Sequence, residues 1–198
     1  MKQYIQNFKK FQPLLEELVA RDIKIKYRRS VLGVLWTLLN PLLMMIVLSV
    51  VFSNLFKFDV ENFPLFILSG QVIFNFFSES TTNAMGAILG NASLIRKIYV
   101  PKYLFVISRI FSSFINLMAS FTALLLVMVV TRAELHWTVI LVPIPLVLLV
   151  AFSMGIGLIL SAIAVKFRDI MHLYSVFITA LMYLTPVILS NVNFYRIG

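Results

Sequence analysis

The sequence predicts an all-α, polytopic integral membrane protein: an N-terminal interfacial amphipathic helix followed by five transmembrane helices. Three observations predict it. Of 198 residues, 61% are hydrophobic and 13% charged, with mean hydropathy +0.96; a soluble domain of that size cannot hide so much apolar surface. The apolar residues fall into five runs, each long enough (about 20 residues) to cross about 30 Å of hydrocarbon. Most of the charges sit in the N-terminal segment and in the short breaks between runs, and the net charge is +9.

Residues 1–12 are polar and basic, and Pro13 suits the first turn of a helix. Leu14, Leu15, Leu18, Val19 and Ile23 recur at spacings of three and four, opposite Glu16, Glu17, Arg21 and Lys24. That pattern is an amphipathic helix lying flat in the membrane interface; packing on another subunit is the alternative. Arg21, Lys24, Lys26, Arg28 and Arg29 crowd its end, and Ser30 and Gly33 let the chain bend into the first apolar run.

The five spans are expected at 31–56, 64–88, 104–130, 139–165 and 170–189, with 1–30 as the interfacial segment and the whole chain one transmembrane domain. The breaks KFDVENF, NASLIRKIYVPK, TRAELHW and KFRD leave no room for a soluble domain. With the N-terminus in the cytoplasm, fourteen of the 17 Lys and Arg residues lie inside, and only Lys57, Arg132 and Arg196 outside. That asymmetry sets the orientation. Prolines and glycines within spans (Pro41, Pro143, Pro145, Gly155, Gly157, Pro186) read as kinks or close packing.

The second run carries a polar stripe, SESTTN, around Glu79, an acid inside a span. A carboxylate at that depth costs about 2.5–3.5 kcal/mol on insertion scales, so it must face protein or water. Interhelical hydrogen bonding and the lining of a hydrophilic conduit by Phe77, Glu79, Thr82 and Asn83 both stay open. In the next break, Asn91 is a good N-cap and Pro101 disfavours a helical Val100. A helix of about two turns fits between, with Leu94, Ile95 and Ile98 on one face and Arg96 and Lys97 on another. Its apolar face needs the bilayer or a partner protein to cover it.

Several chemistries are excluded or unsupported. Cysteine is absent, which removes disulfides and thiolate chemistry. There is no G-x-x-x-x-G-K-[ST] loop for ATP. His136 and His172 are far apart and form no metal motif, and no serine sits in a G-x-S-x-G context. A cleavable signal peptide is not expected, since the first apolar run begins near residue 31 and is too long for an h-region.

RDIKIKYRRSVLGVLWTLLNPLL resembles the start of the permease subunits of type-2 ABC exporters of polysaccharides and polyol phosphates, of O-antigen, capsule or teichoic-acid type. FILSGQVIFNFFSES, NASLIRKIYVPKYLF and VKFRDIMHLYSVFITALMYLTPVI extend the likeness in order over nearly the whole chain. The resemblance implies a homodimer of permeases joined to two ABC ATPase subunits, which bind ATP and Mg. It implies no cofactor or catalytic site in this chain and no nucleic-acid partner. Membrane lipid and a lipid-linked glycan are its other expected contacts, in the bacterial cytoplasmic (inner) membrane. By position, Leu14 to Arg29 matches the family's gate helix, with Arg21, Lys24, Arg28 and Arg29 placed to meet the pyrophosphate or lipid headgroup. Asn91, Leu94, Ile95, Arg96, Lys97 and Ile98 match the coupling helix that docks on the ATPase. Members usually run longer and have a sixth span, so this sequence is expected to be C-terminally incomplete. A drug or small-lipid permease and a non-transporting membrane scaffold are the alternatives.

Overall fold

The computed structural model describes residues 2–28, 32–33, 35–56, 63–97, 99–131 and 140–185; Arg29, Ser30 and Ile98, assigned to the gate and coupling segments, lie outside them. Its helices are α1 (Lys2–Tyr27), α2 (Leu35–Phe56), α3 (Phe63–Gly90), α4 (Ala92–Ile95), α5 (Tyr103–Thr131), α6 (Pro143–Lys166) and α7 (Ile170–Leu184). At 1.5 Å per residue the 29 residues of α5 reach about 43 Å, more than the hydrocarbon thickness. By length and composition α5 and α6 can each cross a membrane, while Leu35–Val47 and Ile170–Leu184 are shorter apolar stretches.

α3 is the hub, touching α2, α4, α5, α6 and α7, while α1 lies against α5. Its central place explains its composition. A helix shielded by neighbours can carry Gln71, Asn75, Glu79 and Asn83 at depth, because lipid is not its main surroundings. α6 shows the converse. Its buried residues are Ser153, Gly157, Ser161 and Ala164, one stripe of small residues three or four apart. Val147, Leu148, Phe152 and Ile159 point outward, each at least 60% exposed. Small residues within and large apolar residues without is the membrane pattern of helix packing.

Gly157 marks the tightest crossing. A Cβ there would lie 2.8 Å from the Ala84 Cβ and 3.3 Å from Ile110 Cδ1. The alanine methyl has no rotamer by which to give way, so the helices must part. Overpacking of this kind typically costs 1–3 kcal/mol. Gly157→Ala should lower the melting temperature of the purified protein in detergent, and Gly157→Leu should cut its folded yield at least several-fold. Gly155 has nothing within 4 Å of an added Cβ, so Gly155→Ala is the matched control.

Three expectations are corrected. Pro13 does not begin α1; the helix starts at Lys2 and runs through it. The apolar face of α1 does not simply rest on lipid. Leu15 and Leu18 are 8% and 3% exposed, and Leu18 packs among Ala84, Ala87, Phe105, Val106 and Ile110 of α3 and α5. The third concerns α4, which is one turn of four residues rather than two turns.

Pro41 of α2 leaves the Thr37 carbonyl without its usual helical N–H donor. The Ser120 hydroxyl of α5 donates to that carbonyl across a long 3.5 Å. Neighbouring helices re-satisfy freed carbonyls in this way, and the contact lies where α2 packs beside the polar face of α5.

Candidate functional site

Two features converge where α1 meets α3 and α5. The first is a buried ion cluster. Asp22 of α1, its side chain 3% exposed, lies between Arg21 (Nη2 to Oδ1, 3.1 Å) and Arg109 of α5 (Nε to Oδ2, 3.3 Å). The Arg21 Nη2 also donates to Asn91 Oδ1 at 2.8 Å, and Asn91 Nδ2 donates to the Ala87 carbonyl at 2.8 Å. Bonds to charged groups are stronger than neutral ones. The chain of contacts therefore fastens the end of α1 to the α3–α4 turn and to the start of α5.

The second feature is a groove of about 700 Å³ between α2, α3 and α5, opening beside the end of α1. On α3, Asn75, Ser78, Glu79, Thr82 and Asn83 line it at spacings of three and four, which is one helical face. Asn116 and Ser120 line it from α5, and Trp36 and Asn40 from α2. A smaller chamber of about 320 Å³ shares Lys26, Glu79, Asn83 and Asn116 with it and reaches Asp22 and Arg109. Glu79 Oε1 accepts from Lys26 Nζ at 2.7 Å and from Asn116 Nδ2 at 2.9 Å. Its carboxylate thus makes interhelical bonds and lines the groove at once. Asn83 Nδ2 donates to Ser113 Oγ at 3.3 Å.

The polar stripe of α3 therefore splits. Ser78, Glu79, Thr82 and Asn83 face the groove, whereas Ser80 and Thr81 are fully buried on the other side. There Tyr174 of α7 donates to Thr81 Oγ1 at 2.7 Å. Phe77 is corrected as a conduit residue. It stacks on Phe152 of α6 with centroids 5.9 Å apart and packs with the cluster around Tyr174 and Ile178, one helical face away from the groove.

Among the basic residues of the gate segment, Lys24 and Arg28 are exposed, while Arg21 is committed to Asp22 and Asn91. In the coupling segment, Asn91 does not cap α4 with its side chain; that side chain is 4% exposed and spent on Ala87 and Arg21. Leu94 and Ile95 do not stand out as a free apolar face: both are half-buried against this chain's own core, the cluster that includes Leu18, Ala87 and Phe105. The outward groups are Ser93, Arg96, Lys97 and a fully exposed Tyr99.

Asp22, Arg109 and Asn116 carry much of the site without having been singled out by sequence, and Lys26 stood out only as one of a basic run. A signal existed for two of them. Asp22 is the one acid inside RDIKIKYRR, and Ser112, Asn116 and Ser120 recur every four residues in an apolar span. No group of three His, Asp or Glu able to hold a metal occurs among the described residues.

A family model described as ABC-2 type transporter matches residues 13–194. The chain is similar to the O-antigen export system permease protein RfbA of Myxococcus xanthus, 32% identical over 90% of this chain and 68% of that protein. It is 28% identical to the RfbA protein of Klebsiella pneumoniae, over 90% of this chain and 69% of that one. It is 25% identical to the polysialic acid transport protein KpsM of Escherichia coli, over 86% of this chain and 67% of that one.

Proposed function

Because this chain belongs to the ABC-2 type transporter family, we propose that it is the membrane permease subunit of an ATP-driven polysaccharide exporter. The polymer crosses along the groove between α2, α3 and α5. The observation that carries this reading is the groove's chemistry. Asn40, Asn75, Thr82 and Asn83 are exposed on a bundle whose other outward faces are apolar. Amides and hydroxyls left unpaired in hydrocarbon cost several kcal/mol each. That face must therefore meet water, substrate or a second copy of the chain. A second copy closing the groove turns it into a conduit, so the working unit is a homodimer.

The remaining parts follow from position. The end of α1, the turn after α3 and the links from α6 to α7 carry Lys24, Arg28, Arg96, Lys97, Lys166 and Arg168 on one end of the bundle. Such an end faces the cytoplasm of a bacterial inner membrane. Lys24 and Arg28 meet the pyrophosphate of a lipid-linked glycan there. Arginine's planar fork binds phosphate bidentately, whereas lysine gives a point charge. ATP and Mg are bound by a partner ATPase subunit, which docks on Arg96, Lys97 and Tyr99.

The test is co-purification followed by transport. Tagged protein should carry an ABC ATPase through purification, and vesicles holding both should take up lipid-linked polysaccharide only with ATP. Protein that purifies free of any ATPase points instead to a membrane scaffold. Within the complex, Tyr99→Ala should weaken ATPase binding at least tenfold. An exposed aromatic anchor of this kind typically carries about 2 kcal/mol when truncated, and no intrachain packing of Tyr99 is lost.

A further inference from the structure

We infer that the polymer carried in the groove is an uncharged, polyhydroxylated glycan chain and not a polyanion. This rests on the export reading above and narrows its substrate. The chain as a whole carries +9, yet none of that surplus lies on the described walls of the groove. The larger chamber has one cation, Lys26, and one anion, Glu79, joined at 2.7 Å. The adjoining chamber adds Asp22 and Arg109, joined at 3.3 Å. The charges that line the two chambers sum to zero, and Arg21, the surplus cation of the Asp22 cluster, lines neither, so no row of cations runs along the path. Exposed basic residues such as Lys24, Arg28, Arg96 and Lys97 stand outside it.

A polyanion in a low-dielectric passage needs cations along its length, because the field of the walls decides what enters. What the walls offer instead is Asn75, Ser78 and Thr82, beside Asn83 and Asn116, whose amide nitrogens already donate to Ser113 and Glu79. An amide presents two donors and an acceptor, and a hydroxyl presents one donor and two acceptor lone pairs. A sugar hydroxyl also donates and accepts, so it can pair with either group at every register. A polymer that must slide gains from walls that bond equally well after each step. Trp36, 45% exposed at the groove's α2 wall, adds an apolar face for the C–H side of a pyranose ring. At about 700 Å³ the larger chamber is within the range of small-molecule sites.

The experiment uses the permease with its ATPase in proteoliposomes and two probes of matched length, lipid-linked polymannose and lipid-linked polysialic acid. ATP-dependent protection of each polymer inside the vesicles is measured. The neutral polymer should cross at least tenfold faster. Asn83→Lys, which adds one unpaired cation to the wall, should shrink that ratio at least threefold. Equal rates, faster polysialic acid, or a ratio unmoved by Asn83→Lys overturns the inference and leaves the export reading standing. Transport of neither polymer by a complex that hydrolyses ATP overturns both.

Discussion

Asp22→Ala is expected to reduce export at least tenfold while the protein still inserts and still binds its ATPase. The carboxylate is 3% exposed and sits between two guanidinium groups at 3.1 and 3.3 Å. Removing it leaves Arg21 and Arg109 side by side with no anion between them. Breaking a buried pair from one side typically costs 3–5 kcal/mol. Both arginine side chains are about one-third exposed, so water relieves part of that cost and the lower end applies. The functional loss is larger than the stability loss. Arg21 is held by Asp22 on one side and by Asn91 on the other, and Asn91 begins the turn that carries Arg96, Lys97 and Tyr99. In the proposed exporter, motion that the ATPase imposes on that turn would reach α1 through these contacts. Without Asp22 the ATPase should hydrolyse ATP with little effect on the polymer. Asp22→Asn keeps the shape and one acceptor oxygen, and should fall between. The measurements are export, ATP hydrolysis and melting temperature of each variant. Wild-type export by Asp22→Ala would reduce the cluster to a structural tie.

The helices were legible because a span of about 20 apolar residues has few other uses. Runs expected at 31–56, 64–88, 104–130 and 139–165 contain α2, α3, α5 and α6 to within a few residues at either end. Which face of each helix turned inward was much less legible. α6 is apolar all round, so its pattern names no inner face; the small residues Ser153, Gly157 and Ser161 were the sign. Phe77 was misplaced for a related reason. It adjoins the polar stripe in sequence but lies about 200° round the helix from Glu79, at 100° per residue. Leu94 and Ile95 give no sign in their own stretch of the core they pack against, because it is assembled from α3, α5 and Leu18 of α1, some seventy residues earlier. Asp22 and Arg109 meet only once α1 lies against α5. Periodicity reports one helix at a time, and this site is assembled from four.

Filling the groove should stop a polymer without unfolding the protein. Thr82 is exposed on the groove face of α3, so an indole at that position enters open space and displaces no packed side chain. Thr82→Trp should leave the melting temperature and basal ATP hydrolysis near wild type. Export of a lipid-linked polysaccharide should fall at least tenfold, because every sugar must pass the obstruction and a chain cannot go around it. Ile159→Trp is the matched control. Ile159 is 62% exposed on α6, on the apolar outer side, where an aromatic ring meets lipid and no groove. The pair of variants also separates a polymer exporter from a permease for small lipids or drugs. A small amphiphile needs only its headgroup to cross and can keep its tail in the bilayer, so its transport should survive a partial plug. Wild-type polymer export by Thr82→Trp would show that the glycan takes another path, and the groove would then be a water-filled seam between helices.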